Sequence, residues 1–96
     1  MANARARHIL VDSEQECADL IAQIQAGADF VELAKQYSSC PSGRRGGDLG
    51  DFRKGMMVPE FDAVIFDPST ALNVVYAKPV KTQFGFHVIE VLERHD

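Results

Sequence analysis

Hydrophobic residues recur with helical spacing in two neighbouring stretches near the start of the chain. The first stripe follows the spacing i, i+3, i+4, i+7 and consists of Cys17, Leu20, Ile21 and Ile24. The second consists of Phe30, Leu33, Ala34 and Tyr37. Ser13 and Asp29 precede these stripes, each with a glutamate three residues on, as in a capping box. Gly27 suits a left-handed C-cap, so the pattern predicts a helix over about 14–26 and a second one directly after it.

Apolar and alternating runs predict strands at both ends of the chain. Residues 8–11 (HILV) are a short, partly β-branched run that suits a strand. In residues 86–92, His87 and Ile89 face one way while Phe86 and Val88 face the other. Because apolar residues occupy both faces, this segment is expected to be a central strand. Residues 51–53 and 79–82 suit shorter strands.

A third helix is expected to begin at Pro59, since proline suits the first helical position. Phe61 and Ile65 lie on its apolar face, and the residue before Pro68 is pushed out of helical dihedral angles. Residues 73–77 are compatible with an extended conformation but carry no clear signal. The order strand, two helices, strand, helix, two strands predicts an α+β fold with a small, mainly antiparallel sheet.

Composition and charge narrow the class of protein. The chain has 96 residues, of which 46% are hydrophobic and 25% charged, which predicts one globular domain over 1–96. The net charge of −4 argues against nucleic acid and anionic membranes as partners. The longest apolar runs, such as residues 63–66, are too short to span a membrane, and residues 1–8 do not resemble a signal peptide. We therefore expect a cytoplasmic, monomeric protein.

Residues 38–50 combine turn chemistry with many glycines, but they match neither phosphate-binding glycine motif. The two cysteines form no C-x-x-C pair and the three histidines are scattered, so neither a metal nor a cofactor is expected. Cys17 lies on an apolar helix face and is interpreted as an inert core thiol. Cys40 lies in the irregular loop, where it is either a small residue pinning the loop or a thiol activated by a nearby histidine.

His8 and His87 lie in strands at opposite ends of the chain. Each can be an ordinary hydrogen-bonded core residue. If the two strands are neighbours, the histidines can instead meet, and Thr82 and Cys40 can join them. The residues alone leave these alternatives open.

Four sequence blocks carry a resemblance to a known family. They are RHILV at 7–11, RGGDLGDF at 45–52, GMMVPEF at 55–61 and VKTQFGFHVI at 80–89. In this order and spacing they resemble the parvulin family of peptidyl-prolyl cis–trans isomerases (rotamases), and the small stand-alone bacterial parvulins most of all. The resemblance implies a parvulin fold, similar to the FKBP fold, in which helices wrap a four-stranded antiparallel sheet whose first and last strands are adjacent at its centre.

The resemblance also implies a site and an activity. Its polar centre would consist of His8, Cys40, Thr82 and His87. Its apolar proline pocket would consist of Leu49, Met57 and Phe61, with Phe84 on the rim. The implied function is acceleration of rotation about Xaa-Pro bonds in unfolded or flexible polypeptides, assisting protein folding without a covalent step. Whether the histidines act on the substrate or mainly hold the central strands together stays open at this point.

Two departures from the family refine these expectations. Phospho-specific parvulins carry a long basic loop after the first strand, whereas residues 11–16 (VDSEQE) are short and acidic and would repel a phosphate. Residues 67–78 lack a helical turn common in the family, which leaves their local structure open. The alternative to an enzyme is a proline-segment binding module or holdase chaperone that uses the same pocket with little turnover.

Overall fold

The computed structural model describes residues 2–95 and contains four strands, three α-helices and one 3-10 helix. The strands are β1 (Asn3–Val11), β2 (Asp48–Arg53), β3 (Val80–Thr82) and β4 (Gly85–His95). The helices are α1 (Glu14–Gln25), α2 (Phe30–Tyr37) and α3 (Pro59–Ile65), and the 3-10 helix is Pro41–Arg45. The predicted α+β fold with a four-stranded antiparallel sheet is confirmed.

The strands are ordered β2-β1-β4-β3, so the first and last strands occupy the centre, as the family resemblance implied. β1 and β4 pair along their whole length, with His8 opposite Ile89 and Leu10 opposite His87. This register brings residues from the two ends of the chain to the middle of one sheet. β2 is longer than the predicted 51–53 and begins at Asp48.

Each face of the sheet carries its own hydrophobic core. Helices α1 and α2 cover one face, where they pack on Ile9, Val11 and Val88. Helix α3 covers the other face, where Phe61 and Ile65 pack with residues of β1 and β4. Burying an aliphatic or aromatic side chain of this size contributes about 1.5–3 kcal/mol, so the two cores fix both central strands from both sides.

The helix starts follow the predicted capping residues. The Ser13 hydroxyl accepts a hydrogen bond from the Glu16 backbone N–H at 3.1 Å, and the Asp29 carboxylate accepts one from the Val31 N–H at 2.9 Å. Gly27 has a φ of +107°, in the left-handed region that the sequence indicated. α1 ends at Gln25, one residue before the predicted end.

The segment between α3 and β3 is irregular but attached to β4. The backbone N–H groups of Asn73 and Tyr76 donate to the carbonyls of Val91 and Ile89, both at 2.7 Å. The Arg94 guanidinium donates to the carbonyls of Ile65, Pro68 and Thr70. Residues 73–77, whose conformation the sequence left open, therefore form no regular strand, and isolated bridges at Leu72 and Val75 join the segment to β4. Within residues 2–95, no helix has the length and apolar character needed to cross a bilayer.

Candidate active site

Four buried polar side chains form a continuous row of hydrogen-bond contacts beneath one face of the sheet. Ser42 Oγ lies 3.1 Å from His8 Nε2, and His8 Nδ1 lies 3.0 Å from His87 Nδ1. His87 Nε2 in turn lies 2.7 Å from Thr82 Oγ1. All four residues are at most 6% exposed. We call Ser42, His8, His87 and Thr82 the polar row.

The strands and one loop place the members of the polar row. Since β1 and β4 are adjacent and antiparallel, His8 and His87 reach the same face at neighbouring positions. Thr82 ends β3, which pairs with the start of β4. The loop is held against β1 because the His8 N–H donates to the Gly47 carbonyl at 2.9 Å, and Gly47 in turn donates to the Ser42 carbonyl. This docking brings the Ser42 hydroxyl to the His8 ring.

Burial keeps both histidines neutral at physiological pH. Loss of hydration, together with the proximity of His87, lowers the pKa of His8 from 6.5 to about 4. Loss of hydration also lowers the pKa of His87 to about 4, although Glu60 opposes that shift. A contact between two Nδ1 atoms requires one of them to carry a proton and the other to accept. The polar row can therefore exist in two arrangements that differ in the direction of every hydrogen bond along it. Neither arrangement carries a net charge.

Acid is expected to destabilise the fold through these histidines. Because their pKa is lower in the folded state, the unfolded chain takes up protons first, and stability falls as the pH drops below about 6.5 towards about 4. Each histidine contributes a loss of about 1.4 kcal/mol per pH unit in that window. Urea unfolding at pH 7, 6 and 5 measures the loss, and NMR titration of each ring gives its pKa directly. Histidine pKa values near 6.5 in the folded protein would contradict this prediction.

A cavity with a volume of about 390 Å³ opens beside the polar row. Its apolar wall consists of Leu10, Leu49, Met57, Val58, Phe61 and Phe84. Both histidine rings also line the cavity, and Phe61 meets them edge-on with ring centres 5.5 Å from His8 and 4.7 Å from His87. An apolar cavity of this size with a few polar groups on one side is typical of a small-ligand site. We call it the proline pocket, after the site that the family resemblance implies.

The structure brings together the residues that the family resemblance implied for the site. His8, His87, Cys40, Leu49, Met57, Phe61 and Phe84 all line the proline pocket. Thr82 does not line it but contacts His87 from behind. Cys40 stands at the start of the 3-10 helix, half-buried, where its backbone N–H donates to Ser38 Oγ. It borders the pocket without joining the polar row, and the catalytic roles of all these residues remain predictions.

Ser42 was missed by the sequence reasoning. Its hydrogen-bond partner, His8, lies 34 residues away, and a serine in a glycine-rich loop has no local pattern that marks it. The glycines at 46 and 47 were the available signal, because their positive φ angles of +69° and +85° bend the loop back onto β1. Within residues 2–95, no three His, Cys, Asp or Glu side chains are grouped as a metal site would require, and the absence of a metal stays a prediction.

The fold is that of a parvulin-type domain. The chain belongs to the PPIC-type PPIase domain family, which its sequence matches over residues 1–95. This confirms the family predicted from the four sequence blocks.

The chain matches part of longer relatives and nearly the whole of a small one. It is 47% identical over 87 residues to the foldase protein PrsA of Caldanaerobacter subterraneus, a match covering 90% of this chain and 28% of that protein. The crystal structure of PrsA from Bacillus anthracis superposes with a TM-score of 0.91 at 35% identity, covering 99% of this chain and 43% of that one. NmPin, the parvulin of Nitrosopumilus maritimus, superposes with a TM-score of 0.82 at 32% identity, covering 97% of this chain and 98% of NmPin. The chain thus spans less than a third of that PrsA protein's length but nearly all of NmPin.

Proposed function

We propose that this chain is a peptidyl-prolyl cis–trans isomerase that accelerates rotation about Xaa-Pro bonds in flexible polypeptides. The observation that carries the proposal is an apolar pocket bounded by two buried, mutually hydrogen-bonded histidines. The family supports the same activity. Proline-containing polypeptides are the proposed substrates, and no cofactor is required, because rotation breaks no covalent bond.

The mechanism follows from how the prolyl amide changes as it twists. Rotation has a barrier of about 18–20 kcal/mol, because the resonance between nitrogen and carbonyl is lost. Loss of resonance also reduces the charge separation within the amide. A site without net charge therefore favours the twisted amide over the planar one, and differential stabilisation of this kind lowers the barrier. The neutral histidines and the apolar wall provide such a site.

The pocket can hold the proline ring in place while the bond before it rotates. Burial of the proline ring against Leu49, Met57 and Phe61 contributes about 0.8 kcal/mol per methylene and holds one side of the bond still. The residue before proline remains free to turn next to Cys40 and the histidines. A reduction of the barrier by about 5 kcal/mol would accelerate exchange by almost four orders of magnitude.

We also propose that substrates need no phosphate before proline. The first turn of α1 carries Glu14 and Glu16, directly after the exposed Asp12. These carboxylates occupy the region where a phospho-specific enzyme would need cations, and they repel a phosphate.

The alternative function is a holdase or binding module with little turnover. Phe84 favours it, because this aromatic side chain on the pocket rim is 61% exposed and can contact an unfolded chain without acting on the bond. Relatives named foldase protein PrsA and chaperone SurA are compatible with either function.

Exchange NMR on short peptides distinguishes the two functions. We expect catalytic amounts of protein to accelerate cis–trans exchange of Ala-Xaa-Pro-Ala peptides, most strongly with apolar Xaa, while leaving the equilibrium cis fraction unchanged. A phosphoserine peptide should be accelerated no more than its serine counterpart. Peptide binding with unchanged exchange for every Xaa would support the holdase and overturn the isomerase.

Cys40→Ser is expected to retain most of the activity. The thiol borders the pocket but forms no part of the polar row, and isomerisation needs no acyl transfer. We expect kcat/KM to fall by less than about tenfold, equivalent to about 1.4 kcal/mol. Cys17→Ser, in the α1 core, is the matched control and should affect stability alone. Complete loss of turnover in folded Cys40→Ser protein with normal peptide affinity would indicate a covalent role for the thiol.

Localisation and assembly are further proposals. We propose that the protein is cytoplasmic and monomeric, with a single domain over 1–96, and that neither nucleic acid nor membrane is its partner. These proposals rest on composition and on the net charge of −4. Cell fractionation and sedimentation of the full protein test them.

A further inference from the structure

A second cavity, with a volume of about 500 Å³, lies against the proline pocket. The two cavities share the wall formed by Ser39, Cys40 and Pro41. An extended chain advances about 3.3 Å per residue, so a polypeptide leaving the proline pocket across this wall reaches the second cavity within a few residues. Lys35, Ser38, Gly43 and Arg44 complete its lining. We call it the basic cavity.

The basic cavity carries positive charge in a chain that is acidic as a whole. Both Lys35 and Arg44 are exposed, and the cavity lining contains no Asp or Glu. Within residues 2–95, no carboxylate lies within 4.0 Å of either cation. Since the chain has a net charge of −4, a cavity lined by two cations and no carboxylate departs from the charge balance of the chain as a whole.

The spacing of the two cations is set by close packing between their elements. Lys35 lies in the last turn of α2, and Arg44 lies in the 3-10 helix. A Cβ atom on Gly43 would lie 2.9 Å from the Ala34 carbonyl oxygen and 2.9 Å from Ser38 Cβ. Because only glycine permits this approach, the 3-10 helix lies directly against the end of α2, and both cations border one cavity.

The Ser38 hydroxyl adds a donor to the same cavity. Its oxygen accepts hydrogen bonds from the backbone N–H groups of Leu10 at 3.1 Å and Cys40 at 3.3 Å. A hydroxyl oxygen has two acceptor sites, so its own proton remains available to donate. The cavity thus offers a hydroxyl donor and two cations, a combination that suits a carboxylate.

We infer that the basic cavity is a subsite for an acidic side chain, Asp or Glu, located on one side of the substrate proline. The inference rests on the proposed isomerase function for its substrate class. It predicts a preference for acidic residues at a position other than the one directly before proline. The cations that create this preference come from α2 and the 3-10 helix, on a different part of the chain from the acidic segment at 12–16.

A peptide scan tests the subsite. Each peptide has a central Leu-Pro and a single Glu, Gln or Lys at one of three positions on either side. We expect Glu on one side of proline to bind about two- to fivefold more tightly than Gln at low salt, the range that exposed ion pairs provide. Lys at that position should bind more weakly than Gln. The differences should shrink in about 0.5 M salt, because screening weakens exposed charge pairs.

Charge reversal identifies the responsible residues. Lys35→Glu/Arg44→Glu should invert the order, so that the Lys peptide binds best. Arg53→Glu/Lys78→Glu changes the net charge by the same amount at exposed positions that line neither cavity, and it should keep the original order. Circular dichroism establishes that both variants are folded.

The readouts separate this inference from the proposed function. Affinity is taken from peptide-induced NMR shifts, and turnover from exchange rates in the same samples. Equal affinities for Glu, Gln and Lys at every position, or an inverted order in the control variant, would overturn the subsite. Absent turnover with a retained Glu preference would overturn the isomerase and leave the subsite in place.

Discussion

Gly47→Ala is expected to be the most damaging small substitution in the chain. Gly47 has a φ of +85°, and a Cβ atom there would clash with the His8 carbonyl oxygen. The left-handed conformation alone costs an alanine about 1–2 kcal/mol. The clash forces the loop away from β1 as well, which breaks the hydrogen bond from the His8 N–H to the Gly47 carbonyl and moves Ser42 away from the His8 ring. We expect a total loss of about 4 kcal/mol or more, which places the variant among the severest point mutants.

Gly50→Ala is the matched control for this prediction. Gly50 also has a positive φ, +71°, but nothing lies within 4 Å of the position that its Cβ would take. The control should therefore lose only the conformational term of about 1–2 kcal/mol and retain activity. Urea unfolding of both variants gives the comparison. Equal losses would show that the contact between the loop and His8 contributes nothing beyond backbone conformation.

Phe61→Ala is expected to lose both stability and turnover. The ring is 4% exposed, packs edge-on against both histidines and forms part of the proline pocket. Removal of a buried phenylalanine side chain costs about 3–5 kcal/mol. Because the same ring holds the substrate proline, we expect kcat/KM to fall by about ten- to a hundredfold even under conditions where the variant is folded, equivalent to about 1.4–2.7 kcal/mol.

Two further variants separate the contribution of Phe61 to packing from its contact with the substrate. Ile65→Val removes one methyl group from a fully buried residue of the same helix that does not line the pocket, so it should cost about 0.5–1.5 kcal/mol and leave turnover intact. Phe61→Met retains most of the volume and should fold better than Phe61→Ala while still turning over slowly. Wild-type turnover in folded Phe61→Met and Phe61→Ala proteins would remove Phe61 from the site.

Local patterns in the sequence were sufficient for the elements that depend on local interactions. The apolar stripes and the capping residues Ser13 and Asp29 gave α1 and α2, because helix hydrogen bonds and caps join residues close in sequence. β2 was predicted too short, since Asp48 carries no strand signal and Gly50 has a positive φ of +71°. The strand begins at Asp48 because that residue pairs with Arg7 of β1. Residues 73–77 were uncertain for the same reason, because their conformation depends on backbone contacts with β4.

Prediction of the site required contacts between residues that are far apart in the sequence. His8 and His87 are 79 positions apart, and only the family resemblance placed their strands side by side before the structure did. Neither the local sequence patterns nor the family resemblance indicated Ser42, because its contact with His8 depends on how the glycine loop folds back. Lys35 and Arg44 are nine residues apart in two elements, and their common cavity becomes visible only when α2 and the 3-10 helix are packed together.

The central claim is that the proline pocket catalyses rotation of the bond that it binds. A single NMR sample of wild-type protein with an Ala-Leu-Pro-Ala peptide tests this claim with two readouts. Peptide-induced shifts at Met57 and Phe61 report occupancy of the pocket, and exchange cross-peaks report the rate of cis–trans rotation. The account predicts that both change together, with exchange faster than the uncatalysed tens of seconds by two orders of magnitude or more and the cis fraction of the free peptide unchanged. Shifts that show an occupied pocket while exchange stays at the uncatalysed rate would contradict it.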